Sequence, residues 1–380
     1  MRDGTLRRCW VGFGALLITA VAATPAAAEE VSSRPRPSAT FDDNVMAVAY
    51  GGGVVFVGGR FRAAEDAGAS ADRSRLAAVD AASGRLLDWG PRPDGAVQAI
   101  ARYGDSVYIA GDFTHVDGEP RYGLAKLDAA TGALDPSFAP TVGGRALALA
   151  VGNGRLYVGG SLTSINGHAR DSAGAVTLGT GATAGWAPHA AGTVHTLAAT
   201  SDRVYLGGTF SELNGSTAYR KFAAVDPVSG ATDTGFKPGL SEIVRDTVVT
   251  SGTIYAAVGG VGGRLIAFRT NGTQRWSVTA NGDFQAVALL GDTIYAGGHF
   301  NTICSSPRTD PDGTCLDDSV GRRKLAAFDT SGHLLGWAPQ ADSDVGVQAI
   351  AADAGSVTVG GAFTTLGSGT IDQPHFAQFG

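Results

Sequence analysis

Apolar and small residues in this chain come in short runs, and the runs recur. The stretch at 107–140, VYIAGDFTHVDGEPRYGLAKLDAATGALDPSFAP, shows the unit. VYIAGDF alternates apolar and small positions, Asp117-Gly118 and Pro120 mark a hairpin turn, and LAKLD reads as a further strand closed by the tight turn DAATG. ALDPSFAP reads as an edge strand, because its prolines cannot donate to a ladder. Such a meander cannot cover its own faces and requires neighbours.

The marker of the second strand reads VFVGGRF, VYIAGDF, LYVGGSL, VYLGGTF, the eroded IYAAVGG, IYAGGHF and VTVGGAF. Its last small position falls at Gly59, Gly111, Gly160, Gly208, Val258, Gly298 and Gly361. The intervals run from 48 to 52 residues, with one of 40 where unit five loses its hairpin and one of 63 where unit six gains a cysteine loop. An apolar segment precedes each marker, and a Trp or Phe follows most third strands. Four strands in 40–50 residues predict an all-β fold, a seven-bladed β-propeller of four-stranded blades. The last unit stops after its third strand, so SATFDD (38–43) is expected to supply the missing strand and close the ring. Closure removes exposed sheet edges.

Residues 1–28 carry Arg2, Arg7 and Arg8, an apolar core and Ala26-Ala27-Ala28, the pattern of a signal peptide. Residues 29–38 read as a polar linker and 39–380 as the propeller. The reading is a secreted, extracellular protein with no membrane span in its mature chain. A formal charge of −6 and one short basic run, Arg322-Arg323-Lys324, argue against nucleic acid. Once Cys9 has left with the signal peptide, Cys304 and Cys315 form an even pair in an oxidising compartment, read as a disulfide.

The repeat resembles the delta-60 repeat family of secreted bacterial propellers, whose pattern is roughly VYVGGxFTxVNG…R…LAALDxxTGxLDPxWxP. The likeness runs over about 39–380 and is clearest in units two and four. It implies a propeller and an extracellular address, and no established activity. Kelch and quinoprotein repeats are more distant likenesses.

The chemistry-bearing positions are few. One residue of each first strand falls at its mouth: Met46, Gln98, Leu147, His195, Arg245, Gln285 and Gln348. Five of these are polar, and Gln98, His195, Arg245, Gln285 and Gln348, with the neighbouring Asp246, form a candidate ligand-binding ring. Asp246 also stands as a possible partner for Arg245. Insertions in units one and six lie on the same face as this mouth. Arginines before the third strand (Arg73 or Arg75, Arg121, Arg170, Arg220, Arg322 or Arg323) and aspartates after it (Asp80, Asp128, Asp226, Asp329) predict a charge clamp in each blade. The seven histidines show no metal-ligand spacing, and Asp310, Asp312, Asp317 and Asp318 break the spacing of a calcium-hand loop. No catalytic residue, cofactor or metal is predicted. The expected function is a binding or scaffold module recognising a carbohydrate, a cell-envelope polymer or another extracellular protein. The alternative is a carbohydrate-active enzyme with its site at the channel mouth.

Overall fold

The computed structural model describes residues 30–353 and 355–380; the signal-peptide pattern lies outside them. Within this range the regular structure is almost entirely β, and no helix is long and apolar enough to cross a membrane. Seven sheets share one antiparallel build, in which a first strand pairs with a second and the second with a third. The first strands are Val45–Gly51, Val97–Tyr103, Val142–Gly152, Val194–Ala199, Val244–Val249, Phe284–Leu290 and Val347–Asp353. Each packs beside the next, and the last packs beside the first. The fold is a β-propeller.

The glycine markers are a packing device. A Cβ on Gly58 would lie 2.6 Å from Cγ1 of Val97, the opening residue of the next sheet's first strand, and one on Gly59 would lie 2.1 Å from the Asn44 carbonyl. Small residues here let one sheet nest against the next. Farther out, an aromatic ring of each of the first six second strands meets the aromatic residue that follows its third strand. Tyr157–Trp186 and Tyr295–Trp337, at 4.9 and 5.0 Å between centroids, are edge-on examples. The indole N–H of Trp89, Trp186 and Trp276 then donates to a turn carbonyl of the following sheet, at Asp128, Asp226 and Thr330.

The expected fourth strand is mostly a single contact. Leu86, Leu134, Thr183, Thr232 and Leu334 each make one isolated bridge to the third strand. These segments contain Pro and Gly, which remove donors and bend the chain. Only in sheet five, whose QRWSVT lacks both, does a full strand form (Gln274–Thr279).

Closure also differs in detail from the expectation. The N-terminal residue that pairs with the last sheet is Arg36, whose N–H donates to the Gln378 carbonyl at 2.8 Å. In Pro35-Arg36-Pro37 it is the one residue with an N–H to give. Thr40–Phe41 instead pairs with Ala63–Asp66, because the Phe41 ring is drawn between Phe61 and Phe376, at 4.3 and 5.6 Å. Residues 30–36, read above as linker, are held throughout. The Glu30 carboxylate accepts from the N–H groups of Gly336 and Trp337, Val31 N–H donates to the Tyr295 hydroxyl, and the Trp337 indole donates to Ser32 O. Ser32 thus supplies the carbonyl that the next sheet's turn supplies elsewhere.

Four of the clamp arginines are in place, but their partners are not the aspartates, and Arg220 of the fourth sheet is exposed instead. Arg73, Arg121, Arg170 and Arg322 each donate to two backbone carbonyls, one beside them in sequence and one 13 or 14 residues on in the outer segment. Arg121 and Asp128 stand at opposite ends of a strand, about 23 Å apart along extended chain. Each aspartate closes its own turn instead: Asp128 accepts from Ala130 N, Thr131 N and the Thr131 hydroxyl.

Candidate functional site

In every first strand the ladder skips one residue. The register slips between Val45 and Ala47, Val97 and Ala99, Ala146 and Ala148, Val194 and Thr196, Val244 and Asp246, Phe284 and Ala286, and Val347 and Ala349. The residues passed over are Met46, Gln98, Leu147, His195, Arg245, Gln285 and Gln348. A β-bulge leaves its extra residue unpaired and re-aims the side chain. Repeated around the ring, it sends seven side chains into one central cavity of about 390 Å³. Beneath them Ala47, Ala99, Ala148 and Ala349 give a narrow wall, interrupted by Thr196 and Asp246, and Val48, Ile100, Leu197 and Ile350 line the depth.

The polar ring members differ in how far the protein already occupies them. Gln98 donates to Asp112, which also takes two hydrogen bonds from Arg145 at 2.9 and 3.0 Å. Those guanidinium bonds hold the Asp112 carboxyl below its usual range. Gln348 accepts from the Asn44 amide, and Gln285 donates to Val345 O at 3.2 Å. His195 makes no hydrogen bond to any of the described residues. Burial, together with the nearby Arg245 charge, lowers its pKa to about 4, so the imidazole is neutral at neutral pH.

Arg245 and Asp246 are not partners. The Arg245 guanidinium turns toward the loops, meeting Asp283 at 3.5 Å and lying against Gly259. Asp246 turns inward. Its Oδ1 accepts from Thr247 N at 2.8 Å and the Thr196 hydroxyl at 3.4 Å, and its Oδ2 accepts from Val287 N at 3.0 Å. It therefore braces three consecutive sheets. Protein surrounds it except on its cavity side, and burial pushes its pKa up against those three hydrogen bonds.

The residues that sequence reading missed are Asn44, Asp112, Arg145 and Asp283. Asp112 directly follows a glycine marker and Arg145 stands two residues before a ring position, so their offsets from the repeat carry the signal.

The mouth is framed by loops that are tied together. Asp42, Asp94, Asn281 and Asp342, in loops entering the first strands, each accept two backbone N–H groups from the segment after the second strand. The unit-one insertion forms a hairpin, Ala63–Asp66 with Ala69–Asp72. The unit-six insertion is closed by the Cys304–Cys315 disulfide, with a Cα separation of 5.3 Å. It leans over the shortened turn of unit five, where a Cβ on Gly262 would meet Thr309 Oγ1 at 2.8 Å. One loop has grown into the space its neighbour gave up. Within it, Asp310 caps a local turn and Asp317 pairs with Arg308. No group of three or more metal-ligating side chains occurs among the described residues.

Comparison with known proteins agrees with this geometry. The family described as "Domain of unknown function (DUF5122) beta-propeller" matches residues 105–138. The WD40 β-propeller domain of Doa1 is similar in structure, with a TM-score of 0.57 at 11% identity, over 91% of this chain and 96% of that one. The computationally designed Ika8 protein gives 0.54 at 12% identity, over 91% and 99%. No curated protein matches the chain in sequence. At such identities the likeness concerns the fold. The chain is a β-propeller repeat protein.

Proposed function

We propose that the protein is an extracellular binding module that takes a carbohydrate, free or as part of a cell-envelope polymer, at the mouth of its central channel. The observation that carries this reading is the convergence of seven bulged residues on one cavity, on the face that also bears both enlarged loops. A cavity of about 390 Å³ suits a small ligand or one unit of a polymer. Three amides and a neutral imidazole offer both donors and acceptors, which is what hydroxyl groups require. Among the described residues Asp246 is the one carboxylate lining the cavity, whereas glycoside hydrolysis commonly uses two; this favours binding over turnover.

The test is a binding screen of the full-length product, recovered from the culture medium, against polysaccharides and cell-wall polymers, with His195→Ala, at the cavity wall, in parallel. Binding by the wild type that the variant weakens supports the mouth as the site. Binding that the variant leaves intact moves it to the enlarged loops, and retention inside the cell overturns the extracellular address.

A further inference from the structure

The second layer of the cavity contains one anomaly. At the position next to each ring residue five sheets carry Ala and one carries Thr196, but sheet five carries a carboxylate. Among the described residues Asp246 has three neutral donors and no cation. The nearest candidate, Arg245, is committed to Asp283, and no Lys, Arg or His of the described residues pairs with Asp246. A buried carboxylate without a cation is costly to keep ionised, and burial raises the pKa of Asp246 accordingly, so a cation seated beside it is the partner that would hold it in its charged form. A carboxylate offers about four acceptor positions. Three are used here, which leaves one on Oδ2, and Asp246 lines the cavity. The alanines across from it leave room for a ligand atom, where a larger side chain would close the space.

We infer that the cavity binds an amino sugar with a free primary amine, its ammonium group seated on Asp246 and its hydroxyls meeting Gln98, His195, Gln285 and Gln348. This rests on the carbohydrate reading above and sharpens it to one class. The ammonium supplies the missing cation, and the neutral His195 above it adds no repulsion. Thr196 and the backbone N–H groups of Thr247 and Val287 fix the carboxylate in advance, so little ordering is lost on binding.

The experiment is calorimetric titration of the full chain at pH 7 with glucosamine, N-acetylglucosamine and glucose. Glucosamine should bind on the order of 10- to 100-fold more tightly than the other two, the range expected for a charged hydrogen bond. Asp246→Asn should erase that preference. If the variant does not fold, the amine against N-acetyl comparison in the wild type decides alone. Equal binding of all three sugars overturns the ammonium seat while leaving a sugar site at the mouth. Binding of none overturns the amino-sugar inference, and the polymer screen with His195→Ala then judges the broader reading independently.

Discussion

Six junctions between neighbouring sheets are alike, and the seventh differs. Wherever the chain runs on from one blade to the next, an aromatic ring of the second strand fills the gap against a Trp or Phe. Where the last sheet meets the first, the corresponding residue is Thr358, and the Tyr50 hydroxyl reaches back to it at 2.5 Å. Opposite Thr358 stands Gln378, where five other sheets have Ala. Gln378 is fully buried and neither polar atom of its side chain has a partner among the described residues. Arg36 spans this junction, donating to Ser356 Oγ at 2.9 Å and Ala81 O at 3.3 Å. The junctions made by continuous chain rely on packing. The one made by joining the two ends keeps the Phe41–Phe376 contact and adds polar contacts, which depend more on geometry and less on area.

Four measurements test that contrast. Trp186→Ala should cost about 3–5 kcal/mol in urea unfolding, since it removes a fully buried ring; a loss under about 1 kcal/mol would break the contrast from the aromatic side. Arg36→Ala should cost about 1.5–3 kcal/mol, the worth of hydrogen bonds from a charged group. A melt unchanged by that substitution would mean the ends are held by Phe41 alone. Gln378→Leu should stabilise by about 1–3 kcal/mol, because it replaces two unpartnered buried polar atoms with apolar volume; destabilisation would reveal a water or partner for the amide.

The smallest effect is the response to acid, which should not separate the two kinds of junction. Hydrogen bonds hold the Asp94 and Asp342 carboxyls down against the opposing effect of burial. Their contribution is full above the unfolded carboxylate range and is lost as pH falls through the lower folded values. His195, lowered to about 4, adds a loss that begins near the ordinary imidazole pKa, because the unfolded chain takes up the proton first. Asp246, raised by burial, works in the opposite sense. His195→Gln should therefore flatten the decline between about pH 6.5 and 4 in thermal melts. Trp186→Ala and Arg36→Ala should both keep the wild-type slope.

What was legible in the sequence followed from periodicity. The glycine markers set the second strands, and counting back from them placed all seven mouth residues on what proves to be one cavity. The cysteine pair was legible because both sit in one loop. Side-chain partners were harder. Recurrence of Arg and Asp suggested pairing, but a periodic pattern records only that two residues recur, and a strand's length kept these apart. Arg245 and Asp246 are adjacent in sequence, yet they belong to different layers, because the first occupies a bulge and the second rejoins the ladder. The closing contact shifted to Arg36 because two flanking prolines and the burial of Phe41 outweigh a simple count of strands.

The bulges carry a consequence for how this surface changes over generations. A residue that takes no part in the ladder and reaches neither core can be exchanged without disturbing register or packing. Seven such positions face one another across a single opening. Drift at any of them alters what the opening selects while the scaffold underneath stays the same, so relatives with closely similar frameworks are expected to differ most at these seven sites and in what they retain there.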